Sequence, residues 1–198
     1  IRASVPMLLL SEYIRDNTDI KIVLSGEGAD EASGSYLYFH NAPDPESFQD
    51  ECIRLIQDVQ YFDVLRGDKT TAGAGLEIRV PFFDKTFMEY YMSIDPSKKM
   101  VKDGMEKYLL RTAFENDLPS SIIWREKTPM QDGSGTVGLI KMFDSVITDD
   151  IFKEKTKKIK SEDNVTIRTK ESLHYYEFYK EKFKIPECTN GNNQCSDC

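Results

Sequence analysis

Ile20-Lys-Ile-Val-Leu-Ser-Gly-Glu-Gly-Ala-Asp-Glu31 is the stretch whose reading decides the fold. Ile20, Ile22, Val23 and Leu24 form a short apolar, β-branched run, which predicts a buried strand. The run stops at Ser25-Gly26-Glu27-Gly28, where two glycines free the backbone for a tight turn and for close approach to a ligand. Asp30 and Glu31 follow, and a helical stretch runs on through Tyr36. In open α/β sheets ligands lie outside the carboxyl ends of strands, so this loop is the first candidate site. By pattern alone, an ordinary turn with solvated acids reads the same way.

On the upstream side, Ser4 is placed to cap a helix through Arg15, with Pro6 in its first turn and Met7, Leu8 and Leu10 toward a core. A helix followed by a parallel strand is the tail of a β-α-β unit. Downstream, Ala42-Pro43-Asp44-Pro45 breaks the chain. Asp44 then caps a helix on which Phe48, Cys52, Leu55, Ile56 and Val59 recur at helical spacing. From there the sequence reads as mostly helical. Expected helices begin at Asp84, run from Gly104 to Phe114, and form one short turn from Leu118 to Trp124. The fold class expected is therefore α/β at the N-terminal end, as the last part of a parallel sheet, grading into mostly α.

Composition sets limits on function. The chain has 198 residues, 39% hydrophobic and 30% charged, enough for one polar domain with a real core. A formal net charge of -8 argues against a nucleic-acid partner bound through phosphates. Apolar runs such as Met7 to Leu10 are too short to span a bilayer, and no signal peptide is visible. The chain opens on Ile1 inside a helical pattern, which predicts a missing upstream part. Cys52 reads as a small core residue. Cys188, Cys195 and Cys198 fall in a polar tail that lacks a second ligand pair for zinc, and a reduced, disordered tail fits a cytoplasmic protein. The organisation expected is a main domain over 1–150, a charged helical extension over 151–185, and a disordered tail over 186–198. Lys155, Lys157, Lys158 and Lys160 read as a solvated face rather than a binding patch.

Three segments together carry a resemblance. Leu24-Ser-Gly-Glu-Gly-Ala-Asp-Glu31 resembles a nucleotide-site loop of the glutamine-hydrolysing asparagine synthetase family, within the N-type ATP pyrophosphatases. Arg66-x-Asp68 followed by Gly75-Leu-Glu-Ile-Arg-Val-Pro-Phe-Phe-Asp84 is similar to a long motif of that family. Trp124-Arg-x-Lys127 before a Gly-containing loop resembles its active-site lysine segment, although Thr128-Pro129-Met130 departs from the pattern. The resemblance is firm over roughly Ile1 to Gly135 and loose beyond.

The resemblance implies an incomplete, adenine nucleotide α-hydrolase-like synthetase domain and a reaction. ATP activates the side-chain carboxylate of aspartate, giving β-aspartyl-AMP and pyrophosphate. Ammonia, supplied from glutamine by a glutaminase domain, then displaces AMP. Asp30 is the candidate for holding Mg2+. Lys127 is the candidate cation for the departing pyrophosphate, with Arg66 and Arg79 in binding or scaffold roles. Ser25 and Gly26 suit close approach to the adenylate, and Glu27 sits where the family places the carboxylate beside the acyl centre. The Glu77–Arg79 segment is expected to buttress the site. The family's Ser-Gly-Gly-x-Asp-Ser loop and its catalytic N-terminal cysteine are absent from this sequence, so the chain alone is expected to turn over neither glutamine nor ATP. A homodimer of the full-length enzyme stays open. Two other readings remain: a synthetase of the β-lactam synthetase kind, and a non-catalytic helical interaction domain.

Overall fold

The computed structural model describes residues 2–135 and 138–183. The chain divides into two compact units, Ile1–Thr136 and Val137–Cys198, so the division falls ahead of the boundary expected at residue 150. The tail and its three cysteines lie outside the described residues.

In the first unit, α1 (Ser4–Asn17) leads to the short strand β1 (Ile22–Leu24) and the single-turn helix α2 (Ala29–Ser33). Ser4 is the first helical residue rather than the cap, and Ala3 at the cap position offers no side-chain acceptor. The inner side of α1 is Met7 and Ser11, the latter buried, while Leu10 is 55% exposed, against expectation. Next come α3 (Pro45–Asp58) and α4 (Asp63–Gly73). Asp44 caps α3 as its sequence predicts, accepting from the Ser47 N–H at 2.7 Å with Pro45 first in the helix. Phe48 and Cys52 on α3 are buried with Phe39, and Tyr36, Leu55, Met92 and Met100 pack around them.

Glu77–Arg79 is β2, and it runs parallel to β1 with Val23 opposite Ile78. This pairing makes the two-stranded sheet of the described residues. Val23 and Ile78 share the face that α4 covers. Gly67 of α4 lies so close that a Cβ there would stand 3.3 Å from Ile78 and 3.6 Å from Met7. The opposite face stays open: Ile22 is 51% and Leu24 77% exposed. The β-branched run therefore forms the expected strand but not a buried one, because a helix covers one of its faces and not the other.

Asp84 caps α5 (Lys85–Ser93) through the Phe87 N–H at 3.0 Å. The helix expected over Gly104–Phe114 is shorter: α6 spans Tyr108–Ala113. Asp103, Gly104 and Lys107 have φ of +53°, +73° and +56°. These left-handed residues close a turn bridged between Lys102 and Met105, and a helix cannot run through them. Two one-turn helices, α7 (Ser120–Ile123) and α8 (Met130–Gly133), complete the unit.

The second unit holds α9 (Gly138–Val146), α10 (Asp149–Asp163) and α11 (Lys170–Lys182) around Phe143, Ile159 and Leu173. Thr148 and Thr169 cap α10 and α11. The charged stretch is helical through Asp163, fastened by Lys155–Glu177 at 2.7 Å and Lys180–Asp163 at 2.8 Å. Leu173 on α11 is buried, whereas Tyr179 and Phe183 are 49% and 59% exposed.

Candidate functional site

The loop after β1 is built by backbone geometry. The Ser25 N–H donates to the Arg79 carbonyl at 2.9 Å, which ties the loop to β2. The Ala29 N–H donates to the Gly26 carbonyl at 3.2 Å, closing a turn. Gly28 completes it at φ +93°, with its Cα against the Phe83 ring. Glu27 and Asp30 then project from one short bend.

Glu27 accepts from Arg66 Nη2 at 2.7 Å, and Arg66 also pairs with Asp63 one turn earlier on α4. Both partners are mostly sheltered, with side chains 15% and 21% exposed. The buried Arg66 Nε meets no acceptor among the described residues. Burial pushes the Glu27 carboxyl above its ordinary range, and the Arg66 hydrogen bond only partly offsets this. Tyr36 joins this network, donating from its hydroxyl to Glu31 and lying 2.8 Å from Asp63 Oδ2. Burial and those two carboxylates push the phenol well up, so it stays protonated.

Asp30 is the meeting point. Lys127 Nζ lies 3.0 Å from one of its oxygens, and Lys107 Nζ pairs with the other. Ser35 donates its hydroxyl to the same carboxylate. Burial alone raises the Asp30 carboxyl, but the Lys107 ammonium and its hydrogen bond, with Ser35 and Lys127, reverse that and hold it below the usual range. Lys127 also donates to the Ser35 carbonyl at 2.6 Å and stands 4.9 Å from the centre of the Tyr36 ring. Two ammonium groups therefore converge on one carboxylate at the mouth of a loop.

Ser25, Gly26, Glu27, Asp30, Arg66 and Lys127 all line one open cavity of about 760 Å³. Its far wall is apolar, with Phe82, Phe87, Leu110 and Phe114. A second cavity of about 570 Å³ shares Glu27, Asp30, Arg66 and Lys127 and adds the Glu31–Tyr36–Asp63 cluster. Arg79 lines neither: its guanidinium pairs with Glu77 on an exposed stretch, at 59% side-chain exposure, and its carbonyl, not its side chain, reaches the loop. The parallel pairing explains this, because Arg79 shares the open sheet face with Leu24. Lys107 escapes sequence reasoning because Gly104–Phe114 looks like one helix. The Asp103-Gly104 pair was the available signal that the segment turns before Lys107.

Among the described residues, no group of three or more acidic, histidine or cysteine side chains is arranged to hold a metal unaided. Asp30 offers one carboxylate, already shared by two lysines. That donor set suits a hard cation whose other ligands are phosphate oxygens and water. No described helix is long and apolar enough to cross a membrane.

A loop at the end of a parallel strand, acidic and faced by two lysines, marks an α/β unit with a charged cavity. The family to which this chain belongs is asparagine synthase, whose family profile matches residues 1–49 and 41–184. Three similar proteins all bear the name asparagine synthetase [glutamine-hydrolyzing]. The Rattus norvegicus protein is 42% identical over 191 residues, covering 92% of this chain and 34% of its own length. Those of Mesocricetus auratus and Homo sapiens are 51% and 50% identical over 139 residues, covering 69% of this chain and 25% of theirs. The chain thus spans a quarter to about a third of the length of the curated relatives it matches.

Proposed function

We propose that this chain forms part of an ATP-dependent amidoligase that converts aspartate to asparagine, with ammonia delivered from glutamine by another part of the protein. The observation that carries this is the convergence of Lys107 and Lys127 on Asp30 beside Glu27. Family membership and the names of the relatives support it. We assign the finer fold to the same proposal: an adenine nucleotide α-hydrolase-like synthetase domain, with β1 and β2 the last strands of its parallel sheet.

In the first step an oxygen of the aspartate side-chain carboxylate bonds to the α-phosphorus of ATP, and the bond from that phosphorus to the β-phosphate oxygen breaks. Pyrophosphate leaves carrying the electron pair. Lys107 and Lys127 are placed to bind that charge, since ammonium groups in a partly dry cavity stabilise a developing anion strongly. They exchange Asp30 for phosphate oxygens as they do so. Asp30 would hold magnesium, which would supply further charge neutralisation there. In the second step ammonia adds to the acyl carbon, AMP departs, and one proton is lost. Glu27 is the acceptor: burial raises its basicity, and Arg66 fixes its orientation. Ser25 and Gly26 let the adenylate approach the backbone, and the aromatic wall of the larger cavity suits a nucleobase. Arg66 and Arg79 act as scaffold, one by holding Glu27 and the other by holding the loop through its carbonyl.

The test is aspartate-dependent pyrophosphate release by the whole protein, with AMP and asparagine formed in equal amounts. Pyrophosphate release with another carboxylate and none with aspartate supports the β-lactam synthetase kind instead. No magnesium-dependent nucleotide binding at all supports a non-catalytic domain.

A further inference from the structure

Lys107 and Lys127 come from separate pieces of chain, neither of them a long regular element. Lys107 sits just ahead of α6 in the left-handed region, at φ +56°. A residue with a Cβ pays about 1 kcal/mol or more to stay there, so its surroundings must hold it. Lys127 lies in an irregular stretch between α7 and α8. Nothing in either local sequence directs both side chains to one carboxylate.

Arg111 connects the two pieces. From α6 its Nε donates to the Glu106 carbonyl at 2.8 Å, one peptide before Lys107. Its Nη1 donates across to the Ile123 carbonyl at the end of α7 and to the Arg125 carbonyl at 3.0 Å, two residues before Lys127. The Glu106 side chain is engaged elsewhere: it is 7% exposed and lies 2.7 Å from His40 Nε2. The turn is thus gripped from one side by His40 and from the other by Arg111. A guanidinium suits this task because its donors are fixed in one plane, whereas an ammonium is a point donor on a flexible stem.

We propose that Arg111 is a positioning residue, which staples the Lys107 turn to the Lys127 segment so that both ammonium groups meet at Asp30 and, in turnover, on the departing pyrophosphate. This deepens the function proposed above and rests on it. Arg111 acts through the lysines rather than on the substrate.

The experiment uses the whole protein with Arg111→Gln, Arg111→Lys, Lys127→Ala and the double variant Arg111→Gln/Lys127→Ala. Pyrophosphate binding in the presence of magnesium is measured by titration calorimetry, and aspartate-dependent turnover in parallel. Displacement of a reacting group by about 1 Å costs on the order of a hundredfold. Arg111→Gln should lower kcat by about that factor while leaving KM for aspartate within about twofold. Arg111→Lys should recover part of the loss. In the Lys127→Ala background, Arg111→Gln should cost less than a third of its effect in the wild-type background, because a staple matters only while its cargo is present. Equal losses in both backgrounds overturn the positioning role, as does full pyrophosphate affinity and turnover in a folded Arg111→Gln. If Arg111→Gln does not fold, the same comparison is made with Arg111→Lys. A wild-type protein that binds no pyrophosphate refutes the proposed function and the staple with it. A wild-type protein that binds pyrophosphate without turnover, and loses affinity with Arg111→Gln, refutes the reaction alone.

Discussion

Asp30→Asn removes the charge on which two lysines converge while keeping the side chain's shape and its contact with Ser35. The Asp30 side chain is 30% exposed, and those of Lys107 and Lys127 are 24% and 22% exposed. Removing one partner of a fully buried pair costs about 3–5 kcal/mol. Partial exposure reduces this, and D30N should lose about 2–3 kcal/mol, since two ammonium groups then face each other without a counter-charge. For a chain of this size that is a fall in Tm of about 5–10 °C. The pH dependence has a definite sign. The Asp30 carboxyl titrates below its ordinary value because of the lysines. Its contribution is therefore full above about pH 4 and disappears as pH falls through the folded value. The Tm gap between wild type and D30N should be constant near neutrality and close on acidification. Ligand binding should change sign with metal. Metal-free pyrophosphate must displace Asp30 from both lysines in the wild type but not in D30N, so D30N should bind it about tenfold more tightly. With magnesium present, D30N should bind more weakly, having lost the carboxylate proposed to hold the ion. Calorimetry with and without magnesium, and thermal unfolding from pH 3 to pH 8, measure both. A Tm unchanged to within a degree, or weaker binding in both conditions, would refute the account of Asp30 as the shared counter-ion.

Further outcomes are expected at Glu27, Gly28 and the Lys99–Gln49 pair. Glu27→Gln should abolish asparagine formation by the whole protein and keep the fold to within about 1 kcal/mol, because Arg66 retains Asp63; full asparagine production would remove Glu27 from the chemistry. Because burial holds the Glu27 carboxyl up, the wild type should lose stability relative to that variant as pH rises through the raised range. Gly28→Ala should destabilise the loop by about 2–4 kcal/mol, through the left-handed strain at φ +93° and a Cβ 2.5 Å from the Phe83 ring; denaturant unfolding reports it. Lys99, 1% exposed, donates to Gln49 Oε1 at 2.7 Å and to the Tyr91 carbonyl at 3.4 Å, and among the described residues it forms no ion pair with a carboxylate. Lys99→Met should therefore cost less than about 1.5 kcal/mol, whereas Gln49→Leu, which leaves the ammonium the long contact with the Tyr91 carbonyl in place of its short hydrogen bond, should cost about 2–3 kcal/mol.

Short-range patterns carried what local chemistry dictates. Asp44-Pro45 and Asp84 start helices where the sequence places them, because a capping carboxylate needs only the next turn of backbone. Ile22–Leu24 forms a strand, and the loop after it turns at Gly28, because few residues other than glycine accept that backbone angle. The partly misjudged elements are those whose fate depends on distant chain. Leu10 and Leu24 are apolar yet exposed, since burial requires a covering surface and hydrophobicity alone does not supply one. Gly104–Phe114 has helical periodicity, but Asp103, Gly104 and Lys107 take left-handed angles instead.

The sequence by itself determined which groups are available: an acid-bearing glycine loop after a strand, a lysine before a second loop, and motifs that resemble one family. Only the tertiary structure decided which of these groups meet. Asp30 reaches Lys107 and Lys127 across 77 and 97 positions of chain, and Arg79, drawn to the same motif, points away. Capping and turns are settled by interactions within a few residues, whereas the meeting of charges from remote segments follows from how helices and strands pack, which no local pattern encodes.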